Sequence, residues 1–323
     1  MNDKINILIT SSGRRTRLLE YFKKELKGKG NIIAADCSEL APTLYIADKY
    51  YTVPRIDDVG YIDSIKEICK KENVTGILSL IDPELSLLAK YSEEFRRMGV
   101  TTIVSSYEAC ELWLDKYAAS NFFKCNGFGH AKTYDSILDF ENALRNKEID
   151  FPVFIKPRKG SASININRAE NMEQARVIFE ASKDMIIQEL LVGQELGVDV
   201  YVDMISRKIV SIFVKEKIAM RAGETDKAKS IKSEKLFSVI EKLVTKSGLV
   251  GPIDIDVFDI NGEYYISEIN PRFGGGYPLA YECGCNFPKY IINNLKGIAN
   301  EPEIGCYKIN TYMMKHDSLI IKT

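Results

Sequence analysis

Gly251-Pro-Ile-Asp254-Ile-Asp256-Val-Phe-Asp-Ile-Asn261-Gly262-Glu-Tyr-Tyr-Ile-Ser267-Glu268-Ile269-Asn270-Pro-Arg272-Phe-Gly-Gly-Gly276 is two runs rich in β-branched and aromatic residues around an Asn-Gly pair, followed by an arginine and three glycines. Asn-Gly between such runs signals a hairpin. Side chains alternate along a strand, so Glu268 and Asn270 share one face with Ile269 on the other, and Asp254 and Asp256 share a face likewise. Two acids and an amide oxygen converging from neighbouring strands form a hard, oxygen-only site, of the kind Mg²⁺ takes when phosphate oxygens complete its octahedron. A solvated polar hairpin face has the same spacing. A two-residue turn at Asn261-Gly262 would set Asp256 opposite Ser267, on the wrong face for Glu268. Convergence therefore predicts an odd-length turn with a glycine bulge and Asp256 opposite Glu268. Arg272 is a fork suited to phosphate, and the glycines after it permit close backbone approach to a ligand.

Working outward, Phe151-Pro-Val-Phe-Ile-Lys156-Pro-Arg-Lys159-Gly-Ser161-Ala-Ser163 ends an apolar strand in a lysine. A lysine carried into a mostly buried place keeps its charge cheaply where an anion meets it; snorkelling into water is the alternative. The turn from Lys159 to Ser163 supplies backbone N–H groups and hydroxyls for a phosphate, without the spacing of a P-loop. Next, Met185-Ile-Ile-Gln188-Glu189-Leu-Leu191-Val-Gly-Gln-Glu195-Leu-Gly197 is a strand running into a short linker. Its backbone from Glu189 to Leu191 suits an adenine edge and Glu195 suits ribose hydroxyls, although an ordinary charged linker looks the same.

Composition narrows the chemistry. The chain has 323 residues, with 44 basic and 45 acidic side chains. Near-neutral balance argues against a nucleic-acid coat or a membrane-surface protein, and no uncharged apolar run reaches the ~18 residues of a membrane span. The first residues read as a strand rather than a signal peptide. Only two histidines occur, His130 and His316, so a multi-histidine metal site is excluded and catalysis falls to carboxylates, lysines, arginines or a bound metal. Seven cysteines without a C-x-x-C read as reduced thiols of a cytoplasmic protein.

The first ~110 residues alternate β-branched runs (5–9, 32–35, 77–80, 102–104) with amphipathic helical stretches (15–26, 61–71, 83–98), which predicts a doubly wound parallel sheet. The expected domains are residues 1–114, an α/β unit, and 115–323, α+β, with a subdomain at about 120–188 and a C-terminal part at about 189–323. Residues 106–125 read as one helix, Asp82 as a helix N-cap, and the polar, lysine-rich stretch 221–232 as a mobile loop. A strand followed by Ser11-Ser12-Gly13-Arg14-Arg15 superficially suits a dinucleotide, but G-x-G-x-x-G is absent. At this strand's carboxyl end Arg14 or Arg15 is placed to meet an acidic substrate, unless the two are a surface pair.

In this order and spacing, Lys156-Pro157, Gln188-Glu189, Asp256 and Glu268-Ile-Asn-Pro-Arg272 resemble the ATP-grasp superfamily, most of all the synthetase modules of the carbamoyl-phosphate synthase large chain. The resemblance covers essentially the whole chain. It implies a Rossmann-like preATP-grasp domain followed by an ATP-grasp fold with an inserted lid. It further implies that Asp256, Glu268 and Asn270 hold two Mg²⁺ ions, with Mn²⁺ as a substitute. Lys116 and Lys156, with Ser161 in the covering loop, would contact ATP, and Glu189, Leu191 and Glu195 would fix adenine and ribose. Arg272 would stabilise the transferring phosphoryl group, and Lys217 matches a basic position near the γ-phosphate. Arg221 is placed at the substrate mouth, and Arg14 serves as a further substrate contact.

The covering loop is poorer in glycine than in relatives, and one module is present rather than two, without a glutamine-hydrolysing domain. Synthesis of carbamoyl phosphate from glutamine by this chain alone is therefore not expected. The implied activity is ATP-dependent joining of a small carboxylate to an amine through an acyl-phosphate. A kinase acting on a hydroxyl and a non-catalytic ATP sensor are the alternatives. Small-molecule substrates, no nucleic acid or membrane partner, and a homodimer on general frequency complete the expectation.

Overall fold

The computed structural model describes residues 4–160 and 166–322. Five parallel strands come first: β1 (Ile7–Thr10), β2 (Ile32–Asp36), β3 (Lys49–Thr52), β4 (Gly76–Ser79) and β5 (Thr101–Thr102), in the order β3-β2-β1-β4-β5. Both faces of this sheet are covered, which is why β1, β2 and β4 are buried at every residue rather than at alternate ones. Helices α1 (Thr16–Leu26), α2 (Tyr61–Lys71), α3 (Asp82–Lys90) and α4 (Ser92–Arg97) alternate with them. The single helix expected over 83–98 is broken at Tyr91, which ends α3 and starts α4. Asp82 lies inside α3 rather than at its N-cap, which is Ile81, so its carboxylate is free for another use.

The helix expected over 106–125 is likewise two: α5 (Tyr107–Leu114) and α6 (Lys116–Cys125). Asp115 between them has extended backbone and accepts from the N–H groups of Tyr117 and Ala118, capping α6 and setting Lys116 at its first turn. A four-stranded antiparallel sheet follows, made of β6 (Thr133–Tyr134), β7 (Val153–Pro157), β8 (Asn167–Ala169) and β9 (Met185–Glu189) in the order β6-β9-β7-β8, with helices α7 (Ile137–Arg145) and α8 (Met172–Glu180). Its small core is centred on Phe140, Val153, Ile155 and Ile187. Ser161 lies outside the described residues.

The third sheet is antiparallel and six-stranded: β10 (Gln194–Val202), β11 (Ile209–Arg221), β12 (Glu224–Ile231), β13 (Gly251–Ile260), β14 (Glu263–Asn270) and β15 (Tyr312–Met314), in the order β14-β13-β10-β11-β12-β15. Helix α9 (Glu234–Ser247) joins β12 to β13, and α10 (Tyr277–Glu282) and α11 (Phe287–Leu295) follow β14. The expected mobile loop at 221–232 is corrected by β12. Its inward residues, Thr225, Ala228 and Ser230, are small or polar, so the strand lacks an apolar signature although both its edges are paired.

The parallel and six-stranded sheets share one core. Phe22 of α1 meets Phe273 edge-on, Tyr21 stacks on Tyr281 of α10 with ring centroids 3.8 Å apart, and Ile7 and Ile9 belong to the same buried cluster as Phe287 and Ile291 of α11. The N-terminal sheet is thus packed against the C-terminal elements, and the ends of β1 and β4 face the residues that follow β14. Among the described residues no helix is long and apolar enough to cross a membrane, and all seven cysteines are free thiols.

Candidate active site

A cavity of about 470 Å³ opens where the three sheets meet. Its floor is the β13–β14 hairpin, and here the sequence expectation was half right. Asp256 does face Glu268, and Asp254 faces Asn270. The device differs: Asn261 and Gly262, at φ 55° and 83°, form a two-residue turn between the paired Ile260 and Glu263. The register shifts later, between Asp256 and Val257, where Ser267 is the extra residue on β14. Next to that bulge the Ile266 N–H donates to the Gly129 carbonyl at 2.7 Å, so the outer edge of β14 is engaged there.

Cations lie across these acids. Lys217 Nζ donates to Asp256 Oδ1 at 2.6 Å and to Glu195 Oε1 at 2.7 Å. Burial works against its charge, but Asp256, Glu195 and Asp254 outweigh that and hold its pKa above the ordinary lysine value. Burial pushes the Asp256 carboxyl up to about 6 against the pull of Lys217, with Asp254 and Glu268 adding to the rise. Lys116 Nζ donates to the Gly160 carbonyl at 2.6 Å and stands 3.6 Å from Glu268 Oε1. Lys156 has no hydrogen-bond or ion-pair partner among the described residues, and burial lowers its pKa despite Glu268. A lysine in that condition has room for an anion. Lys159 and Gly160 line the same wall.

Arg272 is held at both ends. Its Nη1 donates to Asp254 Oδ2 at 3.0 Å, and Nε and Nη2 approach Asp82 Oδ2 at 3.4 and 3.3 Å. Asp82, from α3 of the N-terminal sheet domain, keeps Oδ1 buried without a partner among the described residues, and burial raises its pKa. The sequence marks Asp82 only as a helix-start acid, whereas Arg15, which lines the cavity, is there the alternative to Arg14 for meeting an acidic substrate. Both come from the carboxyl ends of parallel strands, where loops in such sheets collect ligand-facing residues.

The glycines after Arg272 serve a purpose beyond the one expected. A Cβ on Gly274 would collide with the Asp254 carboxylate, and one on Gly276 would stand 2.6 Å from Lys215 Cε. They make room for buried charged side chains of the floor, and Gly275 and Gly276 also line the cavity itself.

The remaining expected residues divide. Glu195 lines the cavity, but Glu189 and Leu191 are not part of its wall, and the Glu189 carboxylate accepts from the Lys132 N–H at 3.0 Å. Arg221 does not reach the cavity: exposed on β11, it pairs with Asp317 at 2.8 Å and Asp226 at 3.4 Å. Met220, Gly223 and Glu224 form the wall at this hairpin instead. Plain alternation from Lys217 would set Arg221 on the cavity face, but the register of β11 shifts between Lys217 and Met220, so Met220 takes the wall and Arg221 turns outward. Arg14 is largely exposed and stands 3.6 Å from Glu224, whereas Arg15 is the arginine in the wall.

The donor set fits Mg²⁺: Asp256, Glu268 and Asn270 present hard oxygens on facing strands. Among the described residues no group of three or more His, Cys, Asp or Glu is placed to hold a metal by itself; two acids and an amide are the partial set that Mg²⁺ takes when phosphate oxygens complete its shell. Four lysines and an arginine facing those oxygens suit a polyphosphate.

Residues 7–103 match a family described as PylC-like, N-terminal domain, and residues 115–276 match the ATP-grasp domain family. The chain is similar to a carbamoyl-phosphate synthase of Methanobrevibacter smithii, 29% identical over 188 residues, covering 56% of this chain and 48% of that protein. It is also similar to a D-alanine--D-alanine ligase of Lawsonia intracellularis, 27% identical over 151 residues, covering 45% and 49% of the two chains. The match spans about half the length of these curated relatives. Among solved structures, the fold resembles a biotin carboxylase from Campylobacter jejuni in complex with β,γ-ATP (TM-score 0.75, 18% identity, 96% of this chain and 75% of that one). It also resembles an N5-carboxyaminoimidazole synthetase from Staphylococcus aureus (TM-score 0.72, 18% identity, 93% and 80%).

Proposed function

Because the chain belongs to the ATP-grasp family, we propose that it is an ADP-forming ligase that joins a small carboxylate to an amine through an acyl-phosphate. The observation that carries this reading is the hairpin floor, where Asp256, Glu268 and Asn270 face Lys116, Lys156, Lys217 and Arg272 across one cavity.

ATP is the first substrate. Lys116, Lys156 and Lys159 hold its phosphates, and Glu195 meets the ribose. Asp256, Glu268 and Asn270 would hold Mg²⁺, as two ions, which would supply charge neutralisation on the phosphates. Lys217, bonded to Asp256 and Glu195 here, would turn to the phosphate oxygens of a bound nucleotide, which would leave Asp256 available as a metal donor. Arg272, pinned by Asp82 and Asp254, is oriented before substrate enters, so it stabilises charge on the transferring group without reorganising. Positioning of this kind asks for no general base of histidine type, in keeping with a cavity that histidine does not line. The second step, attack of an amine on the acyl-phosphate, needs water kept out, a task for the sheet of β6 to β9, whose strand β7 brings Lys156 to the cavity wall.

Hydroxylamine trapping tests the reading. A carboxylate substrate should yield hydroxamate together with ADP, and Glu268→Ala should abolish Mg²⁺-dependent ADP release with the melting temperature unchanged. A stable phosphorylated hydroxyl product without hydroxamate would overturn the ligase reading in favour of a kinase.

A further inference from the structure

Resting on the ligase reading above, we infer that the cavity contains a second anion subsite built on Arg15, which lines it, with Arg14 and Lys315 gathered behind it on Glu224. The acid substrate is then a short molecule bearing a further carboxylate or a phosphate besides the carboxylate that reacts.

Three cations from two distant parts of the chain converge on one carboxylate. Arg14 and Arg15 follow β1, Lys315 follows β15, and Glu224 opens β12. Glu224 accepts from Arg15 Nε at 3.1 Å and Lys315 Nζ at 3.0 Å, with Arg14 Nη2 at 3.6 Å. One carboxylate leaves most of that positive charge uncompensated. Of the other acids, Asp254 is bonded to Arg272 and offsets Arg15 only in part, and Asp226 pairs with Arg221 at 3.4 Å. Burial depresses the pKa of both Arg15 and Lys315 beyond what Glu224 restores, so an arriving anion relieves an existing cost.

Arg15 lines the cavity, and its geometry sets the reach. Its Nη1 donates to the Phe273 carbonyl at 3.3 Å, the same oxygen that accepts from Arg272 Nη1 at 3.2 Å, and its Nη2 has no partner among the described residues. The two guanidinium groups therefore flank one carbonyl. A molecule with its reacting carboxylate at Arg272 reaches Arg15 through a linker of only a few atoms, and the planar fork of Arg15 suits a carboxylate or phosphate. Glu224 is the resident counter-ion that keeps the cations gathered.

The test uses ATP, Mg²⁺ and hydroxylamine, which removes the need to know the natural amine. Succinate, glutarate and 3-phosphonopropionate are compared with succinamate, which lacks the second charge. The dianionic acids should show a KM at least tenfold below that of succinamate. Arg15→Gln should erase the difference, with the KM for ATP unchanged, and Arg15→Lys should retain part of it. Equal KM values for the charged and uncharged acids, or an Arg15→Gln variant that weakens both alike, would overturn the subsite. Carboxylate against phosphonate preference identifies the anion. Should no acid give hydroxamate, the ligase reading fails separately, and calorimetry of succinate and 3-phosphonopropionate on the MgADP-loaded protein decides the subsite. Binding lost in Arg15→Gln supports it, and absent or unchanged binding overturns it. If Arg15→Gln does not bind MgADP as the wild type does, Lys315→Gln supplies the same comparison.

Discussion

Lys215 and Lys217 stand two residues apart on one face of β11, and each meets carboxylates from the neighbouring strands, yet they belong to different environments. Lys215 is 1% exposed and donates to Asp199 alone, at 2.5 Å. Gly197 and Gly276 leave the space through which its side chain runs, and burial raises the Asp199 carboxyl to about 6 against the pull of the lysine. Lys217 has two acidic partners, and both partners and lysine line the cavity. A sealed pair with a single partner holds the sheet together. On the function proposed above, a shared pair at a cavity wall is exchangeable, because an incoming phosphate and metal would offer each side a replacement.

The comparison breaks most sharply on removal of the lysines. Lys215→Met leaves Asp199 buried without its cation, and should cost about 3 to 5 kcal/mol in a denaturant titration. Lys217→Met, whose acids remain in reach of water, should cost about 1 kcal/mol of stability while lowering ADP release at least tenfold. Equal destabilisation by the two would mean that the second pair is as structural as the first. Next in size, Lys156→Ala should weaken nucleotide binding by about 1.5 to 3 kcal/mol, the range for a lost hydrogen bond to a charged group, with no change in stability. Calorimetric titration with MgATP checks this, and unchanged affinity would remove Lys156 from the phosphate wall.

A third buried acid sharpens the contrast. Asp203, just beyond β10, has no cation and accepts instead from the N–H groups of Ile205, Ser206 and Asn300 and from the side-chain amides of Asn294 and Asn300. Burial alone would raise its pKa, but these donors outweigh it and hold it at about 2, against an ordinary value of 3.8. A depressed folded-state pKa stabilises the native state in full above the ordinary value, and that contribution is lost as pH falls toward 2. Asp203→Asn should therefore cost about 2 kcal/mol at neutral pH and progressively less below pH 4, measured by denaturation across that range. A pH-independent loss would assign the effect to packing.

Much of the site was legible because its core is local. Strand alternation places Asp254 with Asp256 and Glu268 with Asn270 whatever the rest of the chain does, and Lys156 ends its strand by the same rule. The bulge was legible only as a need: something had to bring Asp256 opposite Glu268, but Ser267 carries no mark of an extra residue, whereas Asn261-Gly262 advertises a turn. Strand β12 was missed for the opposite reason, since its buried side chains are small and its exposed ones are charged, which is also how loops read.

The order of elements, the parallel N-terminal sheet, the hairpin and the oxygen donors upon it were determined by residue type and spacing over short stretches, where propensity and periodicity act. The partners of those donors were decided by the tertiary structure. Arg272 meets Asp82 across 190 positions of sequence, and Arg15 meets Glu224 across 209. No local rule distinguishes Arg15 from Arg14 or makes Asp82 anything but a helix-start acid. Those roles arise because packing α1 and the ends of β1 and β4 against the residues after β14 buries charges that must then find one another.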